Sequence, residues 1–288
     1  MRLTKITTLL AAGLLVTGLA ACGSDKKEDA GGVTTTVDGT DCKPLGGFAP
    51  ITAGTLTVVT SLPGPGFWEG SDDDPSAVTS GFEYDIAQEM KAKFCLDKLE
   101  VRNESFDAIT AGSVTDYDLA LSQISITDER AKVVSFSKPY FESNQGILVK
   151  KGKKISTIED VKNAKWGVQT GTTAIDLLDK IELANETSVY QTLPDAYTAL
   201  DADQVDAILI DTAINLGQAA RSDGKFEVVG QFEQETGPDQ YGAILPKDSK
   251  NVAAIDAAFD DLKTSGKLAE IGTKNLSTDP GNIPIIKI

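Results

Sequence analysis

The chain has 288 residues, 24% of them charged, and a formal net charge of −16. It contains no histidine, which excludes Ser-His-Asp and Cys-His catalysis and every histidine metal site. The acidic balance argues against a nucleic-acid partner, because phosphate binding needs positive charge, and fits a soluble protein outside the cell.

Residues 1–21 read as a secretory signal. Arg2 and Lys5 precede an apolar run from Ile6 to Leu19, too short and wrongly flanked for a membrane span. Ala20 and Ala21 stand directly before Cys22 and look like a lipoprotein processing site. Cys22 is then the mature N-terminus, held in the membrane by several acyl chains. An ordinary cleaved signal followed by a chance cysteine is the competing reading. Without Arg2 and Lys5, 25 Lys and Arg face 43 Asp and Glu, a net charge of −18. Residues 23–41 have one pair of valines and no aromatic residue. They cannot bury enough surface to order themselves, so residues 22–53 are expected to form a flexible tether. The rest, about 240 residues, fits two lobes better than one core. With Cys22 assigned to lipid, Cys42 and Cys95 remain, with no metal-ligand spacing. An oxidising location favours a disulfide between them; two buried free thiols are the alternative.

Apolar runs with β-branched residues predict strands at residues 55–60, 99–102, 119–121, 133–136, 146–149, 166–168, 189–192, 207–210, 227–229 and 241–245. Phe82, Ile86, Met90 and Phe94 recur every four residues, an apolar helix stripe. Ile175, Leu177, Leu178 and Ile181 form a second stripe, and Val252, Ile255, Phe259 and Leu262 a third. Thr157 with Asp160 reads as a capped helix start, and Pro194 fits a first turn. The alternation predicts an α/β chain with mostly parallel sheets and no internal repeat. The last residues, NLSTDPGNIPIIKI, read as an extended surface tail.

The stretch LSQISITDERAKVVSFSKPY, residues 121–140, carries the most chemistry. Ser125 ends an apolar strand, Thr127 opens a helix and Arg130 lies in its first turn. A hydroxyl, free N–H groups and a two-pronged cation then converge, a setting for a carboxylate. A surface pairing of Arg130 with Asp128 or Glu129 is the competing reading. Gly171-Thr172-Thr173 stands between a strand and a helix. The glycine permits a tight turn, Thr172 or Thr173 caps the helix, and the exposed N–H groups face a cleft. Asp211 ends a strand before a helix, where one oxygen can cap and the other can bind. Phe106, between Ser105 and Asp107, reads as cleft wall or as core. Phe67 and Trp68 follow a Pro/Gly-rich loop, LPGPGFWEG, and suggest a pocket rim.

Six segments lie in order: GFEYDIAQEM at 81–90, SFDAITAG at 105–112, ITDERAKVVSFSKPY at 126–140, GVQTGTTAIDLL at 167–178, VDAILID at 205–211 and YGAILPKD at 241–248. Together they resemble the amino-acid-binding family of bacterial extracellular solute-binding proteins that serve ABC importers. The resemblance runs from about Gly54 to about Asn275, and six pieces in register are specific where one would be weak.

The resemblance implies a periplasmic-binding-protein-like fold of type II, two α/β lobes joined by two crossing strands near residues 141–145 and 237–241. Lobe 1 is then residues 54–141 plus 241–288, and lobe 2 residues 142–240. It implies that Arg130 and Ser125 take a ligand α-carboxylate, that Thr173 closes on the same group, and that Phe106 stacks on the ligand side chain. Asp211 is the expected partner of the α-ammonium. Gln123 stands where relatives have a small residue, near the backbone that meets the α-amino group, which brings its side chain within reach of the ligand. Ser61 stands where relatives that take basic amino acids often carry an acid, which leaves a neutral polar amino acid or glutamate open. The implied activity is capture of a free amino acid by a monomer and its delivery to an ABC permease, at the outer face of the cytoplasmic membrane, with no cofactor, no metal and no catalysis. A cyclohexadienyl-dehydratase-like enzyme and an amino-acid-sensing lipoprotein are the alternatives.

Overall fold

A computed structural model describes residues 36–37, 40–234, 237–276 and 282–287. The expected signal segment and Cys22 lie outside them. The described residues begin with the antiparallel pair β1 (Thr36–Val37) and β2 (Thr40–Asp41), followed by β3 (Thr55–Thr60), α1 (Phe82–Lys93), β4 (Lys98–Asn103), α2 (Phe106–Thr110) and β5 (Leu119–Ala120). It continues through α3 (Asp128–Ala131), β6 (Ser135–Phe136), β7 (Phe141–Ser143), β8 (Gln145–Lys150), α4 (Ile158–Asn163), β9 (Trp166–Gln169), α5 (Thr173–Leu178) and β10 (Ser188–Tyr190). It ends with α6 (Leu193–Asp201), β11 (Ala207–Asp211), α7 (Thr212–Arg221), β12 (Phe226–Phe232), β13 (Asp239–Tyr241), β14 (Ile244–Leu245), α8 (Val252–Thr264), α9 (Lys267–Asn275) and β15 (Ile285–Ile286).

Local chemistry explains most boundaries. On α1, Phe82, Ile86 and Met90 are all buried at four-residue spacing, and Glu83 is buried beside them. Gly81 precedes this helix at φ +125°, and a Cβ there would meet the Phe67 carbonyl oxygen at 2.2 Å. Thr157 and Asp160 form the reciprocal capping box of α4, and the Thr192 hydroxyl caps α6 with Pro194 in its first turn. The helix α9 is not foreshadowed by its sequence, since Ile271 is its only fully buried residue.

Two sheets give two lobes. The first has the order β4-β3-β5-β14-β6 and the second β10-β9-β11-β8-β12-β15. Each contains a parallel trio, β4-β3-β5 in one and β10-β9-β11 in the other. Mostly parallel sheets are what the structure has, with five of the nine described pairings parallel, except that one strand in each sheet, β14 and β8, runs antiparallel to both its neighbours. Both strands enter directly from an interlobe connection instead of through the crossover helix that a parallel pairing requires.

That connection is a separate antiparallel ladder of β7 and β13, with Phe141 opposite Tyr241 and Ser143 opposite Asp239. The strand expected at 241–245 is therefore two, β13 and β14. Of the strand expected at 133–136, only Ser135–Phe136 forms, and Val133 is 47% exposed. The tail is also corrected. Instead of lying along the surface as an extended tail of lobe 1, its β15 pairs in parallel with β12 and adds an edge strand to the second sheet.

The expected tether is shorter than residues 22–53. Cys42 and Cys95 form a disulfide, Leu45 N–H donates to the Lys93 carbonyl, and Phe48 stacks on Phe94 at 4.2 Å. Apolar contact and a covalent bond dock residues 42–48 on the end of α1.

Candidate functional site

The two lobes close on a cavity lined from both sides: Ser61, Phe106, Gln123, Ser125 and Arg130 from one, and Gln169, Thr172, Thr173 and Asp211 from the other. Its free volume is about 30 Å³, room for about two waters. Further contacts span the lobes. Asp72, in the loop between Trp68 and α1, pairs with Arg221 of α7. The Pro65 carbonyl abuts Gly217 of α7, where a Cβ would lie 2.6 Å from it.

Arg130 is positioned by the start of α3. The Thr127 side chain accepts from the Arg130 backbone N–H at 3.2 Å, and Arg130 is only 9% exposed. It pairs with neither Asp128 nor Glu129, since Glu129 binds Lys132 instead. Its Nη1 donates to the Ser125 carbonyl at 2.6 Å and its Nη2 to the Gly171 carbonyl at 2.8 Å, one acceptor from each lobe. A guanidinium has five N–H donors, so three remain without a described acceptor. The Phe106 ring lies 5.5 Å from Arg130 Cζ, a cation–π contact. Burial lowers the Arg130 pKa, and Asp211, Asp239 and Asp176 oppose that shift.

Asp211 ends β11 and is 3% exposed. It occupies the N-cap position of α7 without making a capping hydrogen bond, which corrects the expected double duty. Its Oδ1 is sealed from solvent with no hydrogen-bond partner. Burial is the first cause that pushes its pKa up to about 8, and the charge of Asp239 is the second. The Tyr241 hydroxyl and Arg130 pull the other way.

The threonines differ from expectation. Thr172 takes the N-cap position of α5, but its hydroxyl donates to the Gln169 carbonyl at 2.7 Å. The Thr173 hydroxyl donates to Asp239 Oδ2 at 3.0 Å and accepts from Gln145 Nε2 at 3.1 Å. Neither caps the helix. Asp239, which sequence reading passed over, also receives Gln145 Nε2 at 2.7 Å and Gln234 Nε2 at 3.1 Å. Nothing in its sequence neighbourhood marks it; its role comes from β13 lying beside the start of α5.

The largest correction concerns Phe67 and Trp68. Both are fully buried and neither lines the cavity. Phe67 packs edge-on against Phe82 and Phe141 at 5.7 and 5.9 Å. Trp68 Nε1 donates to Glu83 Oε2 at 2.7 Å. Glu83 also accepts from the Gln123 backbone N–H, the Gln123 side-chain amide and the Tyr140 hydroxyl. This buried carboxylate was missed, although a signal existed: it lies three residues before Ile86 and four before Ala87, on the apolar face of α1.

The family model for bacterial extracellular solute-binding proteins, family 3, matches residues 56–278. The chain belongs to that family. One relative, the ABC transporter glutamine-binding protein GlnH of Bacillus subtilis (strain 168), is 31% identical over 73% of this chain and 78% of its own length. The L-cystine-binding protein TcyJ of Escherichia coli (strain K12) is 29% identical over 78% and 84%. Among solved structures, an ancestral arginine-binding protein bound to glutamine superposes with a TM-score of 0.67 at 29% identity, covering 79% of this chain and all of that one. These relatives are binding proteins. Family 3 membership places the chain on the periplasmic or extracellular side. Among the described residues, no helix is long and apolar enough to cross a membrane.

Proposed function

We propose that this chain captures one free amino acid between its lobes and delivers it to an ABC import permease. The observation that carries the reading is the pairing, in one cavity, of a guanidinium with unused N–H groups and a carboxylate with an unpartnered oxygen. A zwitterion satisfies both once the lobes part to admit it, since the cavity as closed has room for about two waters and Asp211 Oδ1 is sealed within it. Arg130 and Ser125 take the α-carboxylate, Asp211 takes the α-ammonium, and Phe106, Gln123, Thr172 and Thr173 line the space between and around them. A charge-assisted contact contributes about 1.5–3 kcal/mol net, so two of them with an apolar wall reach micromolar affinity, about 8 kcal/mol. Arg130 and Asp211 belong to different lobes. Ligand thus binds the closed arrangement better, which is what shifts the population toward it. Lipidation at Cys22 would hold the monomer at the outer face of the membrane. The lobes are taken as residues 54–141 plus 241–276, and residues 142–240 plus β15.

The test is thermal melting of the soluble chain with each common amino acid. Stabilisation of about 2.7 kcal/mol is expected at a hundredfold excess over Kd, for one or a few compounds. Arg130→Ala is expected to abolish the shift; retention of it would remove the reading. Membrane release of a Cys22→Ala chain tests the anchor.

A second reading draws on one observation. A cleft carboxyl raised to about 8 is what a general acid requires, so an enzyme that dehydrates cyclic acids is the rival. Turnover of a prephenate-like acid, with no melting shift from any amino acid, would favour it.

A further inference from the structure

If Arg130 and Asp211 hold the two ends common to all amino acids, the rest of the cavity wall must recognise the side chain. One wall group has its orientation fixed from behind. Gln123 lines the cavity with a backbone φ of +50°, which few non-glycine residues adopt. Its backbone N–H donates to Glu83 Oε1 at 2.8 Å, and its side-chain nitrogen donates to Glu83 Oε2. The surrounding network decides which end of an amide faces which way. Glu83 also receives the Trp68 indole N–H, which can only donate, and the Tyr140 hydroxyl. A carboxylate that gathers four donors turns the Gln123 nitrogen inward. The carbonyl oxygen is left facing away. That oxygen accepts from no described residue and is not among the sealed side-chain oxygens, so it opens on the cavity.

The charges narrow the class. Among the described lining residues, Arg130 is the only cation and Asp211 the only anion, and the ligand's α-groups occupy both. An acidic side chain would meet an acceptor oxygen and no remaining cation. A basic side chain would bring a charge with no remaining carboxylate on the wall. An apolar side chain would leave the Gln123 oxygen unpaired once the lobes shut out water.

We infer that the site selects an amino acid whose side chain is uncharged and ends in a hydrogen-bond donor, a carboxamide above all, and that Gln123, oriented by Glu83, is the selecting residue. The inference rests on the proposed function, since it places the α-groups on Arg130 and Asp211. It removes glutamate, which the sequence left open.

Calorimetric titration of the soluble chain with glutamine, glutamate, arginine and methionine tests it. Methionine has a similar volume and no side-chain donor. Glutamine is expected to bind at least about tenfold tighter than the other three, the loss that follows an unmade buried hydrogen bond. Gln123→Met, similar in shape but without the oxygen, is expected to bring glutamine and methionine within about twofold of each other. Binding of glutamate, arginine or methionine as tightly as glutamine overturns the inference and leaves amino-acid capture standing. An unchanged preference in a Gln123→Met chain with a normal melting curve overturns the role of Gln123. Failure of every common amino acid to bind overturns the proposed function and this inference together. If Gln123→Met does not fold, the unmodified chain's four affinities decide the matter alone.

Discussion

Glu83 and Asp211 are buried carboxylates, one in each lobe, and the protein treats them differently. Burial is the first cause that raises the pKa of each. Glu83 accepts from four donors on three residues, Trp68, Gln123 and Tyr140. Asp211 keeps an oxygen with no partner and has Asp239 as an unfavourable neighbour. Burial alone therefore does not mark a binding group. A satisfied carboxylate fixes the conformation around it. An unsatisfied one costs stability until a donor arrives from outside.

The largest effect is expected at Glu83. Glu83→Leu is expected to destabilise the chain by about 3–5 kcal/mol, read by denaturant unfolding, because it leaves buried donors on three residues without their acceptor. A neutral effect would mean that Glu83 is no organising centre. Asp211→Asn is expected to do the reverse. Ligand affinity should fall about 100-fold, roughly 3 kcal/mol, while the ligand-free melting temperature rises by a few degrees. A lower ligand-free Tm would put Asp211 in the same class as Glu83.

The raised pKa of Asp211 makes its cost depend on pH. The folded pKa of Asp211, about 8, lies above its unfolded value of 3.8, so unfolding releases a proton across that window. The contribution is fully present below pH 3.8 and is lost as pH rises through about 8. The Tm gap between Asp211→Asn and the unmodified chain should therefore widen from about pH 5 to about pH 8. A ligand ammonium favours the carboxylate, so binding near pH 7 should expel a proton. Calorimetry in two buffers of different ionisation enthalpy reads it, and equal heats would contradict the assignment. The smallest effect is expected from Trp68→Phe, which removes one of Glu83's four donors. It should cost about 1–2 kcal/mol of stability and leave ligand affinity unchanged. A large loss of affinity would return Trp68 to the pocket rim.

How much was readable follows from where each feature's partners lie. The strands at 55–60 and 207–211 declare themselves through β-branched residues that are all buried. The site at Arg130 is legible because Ser125, Thr127 and Arg130 fall within six residues and one helix start. Trp68 misled because a Gly/Pro-rich flank reads as exposed loop, whereas its indole reaches Glu83, 15 residues away, in the core. The opposed strands β8 and β14 escaped because apolar periodicity carries no sign of direction.

Local sequence carries the alternation of elements, the family, the carboxylate-binding turn and the acid at the end of β11, because each depends on contacts within a few residues. Tertiary structure decided what surrounds them. Gln123 faces its nitrogen to Glu83, 40 residues earlier, and Thr173 gives its hydroxyl to Asp239, 66 residues later. Hydrogen bonds over such separations depend on how two lobes and their crossing strands pack, and local pattern does not encode that.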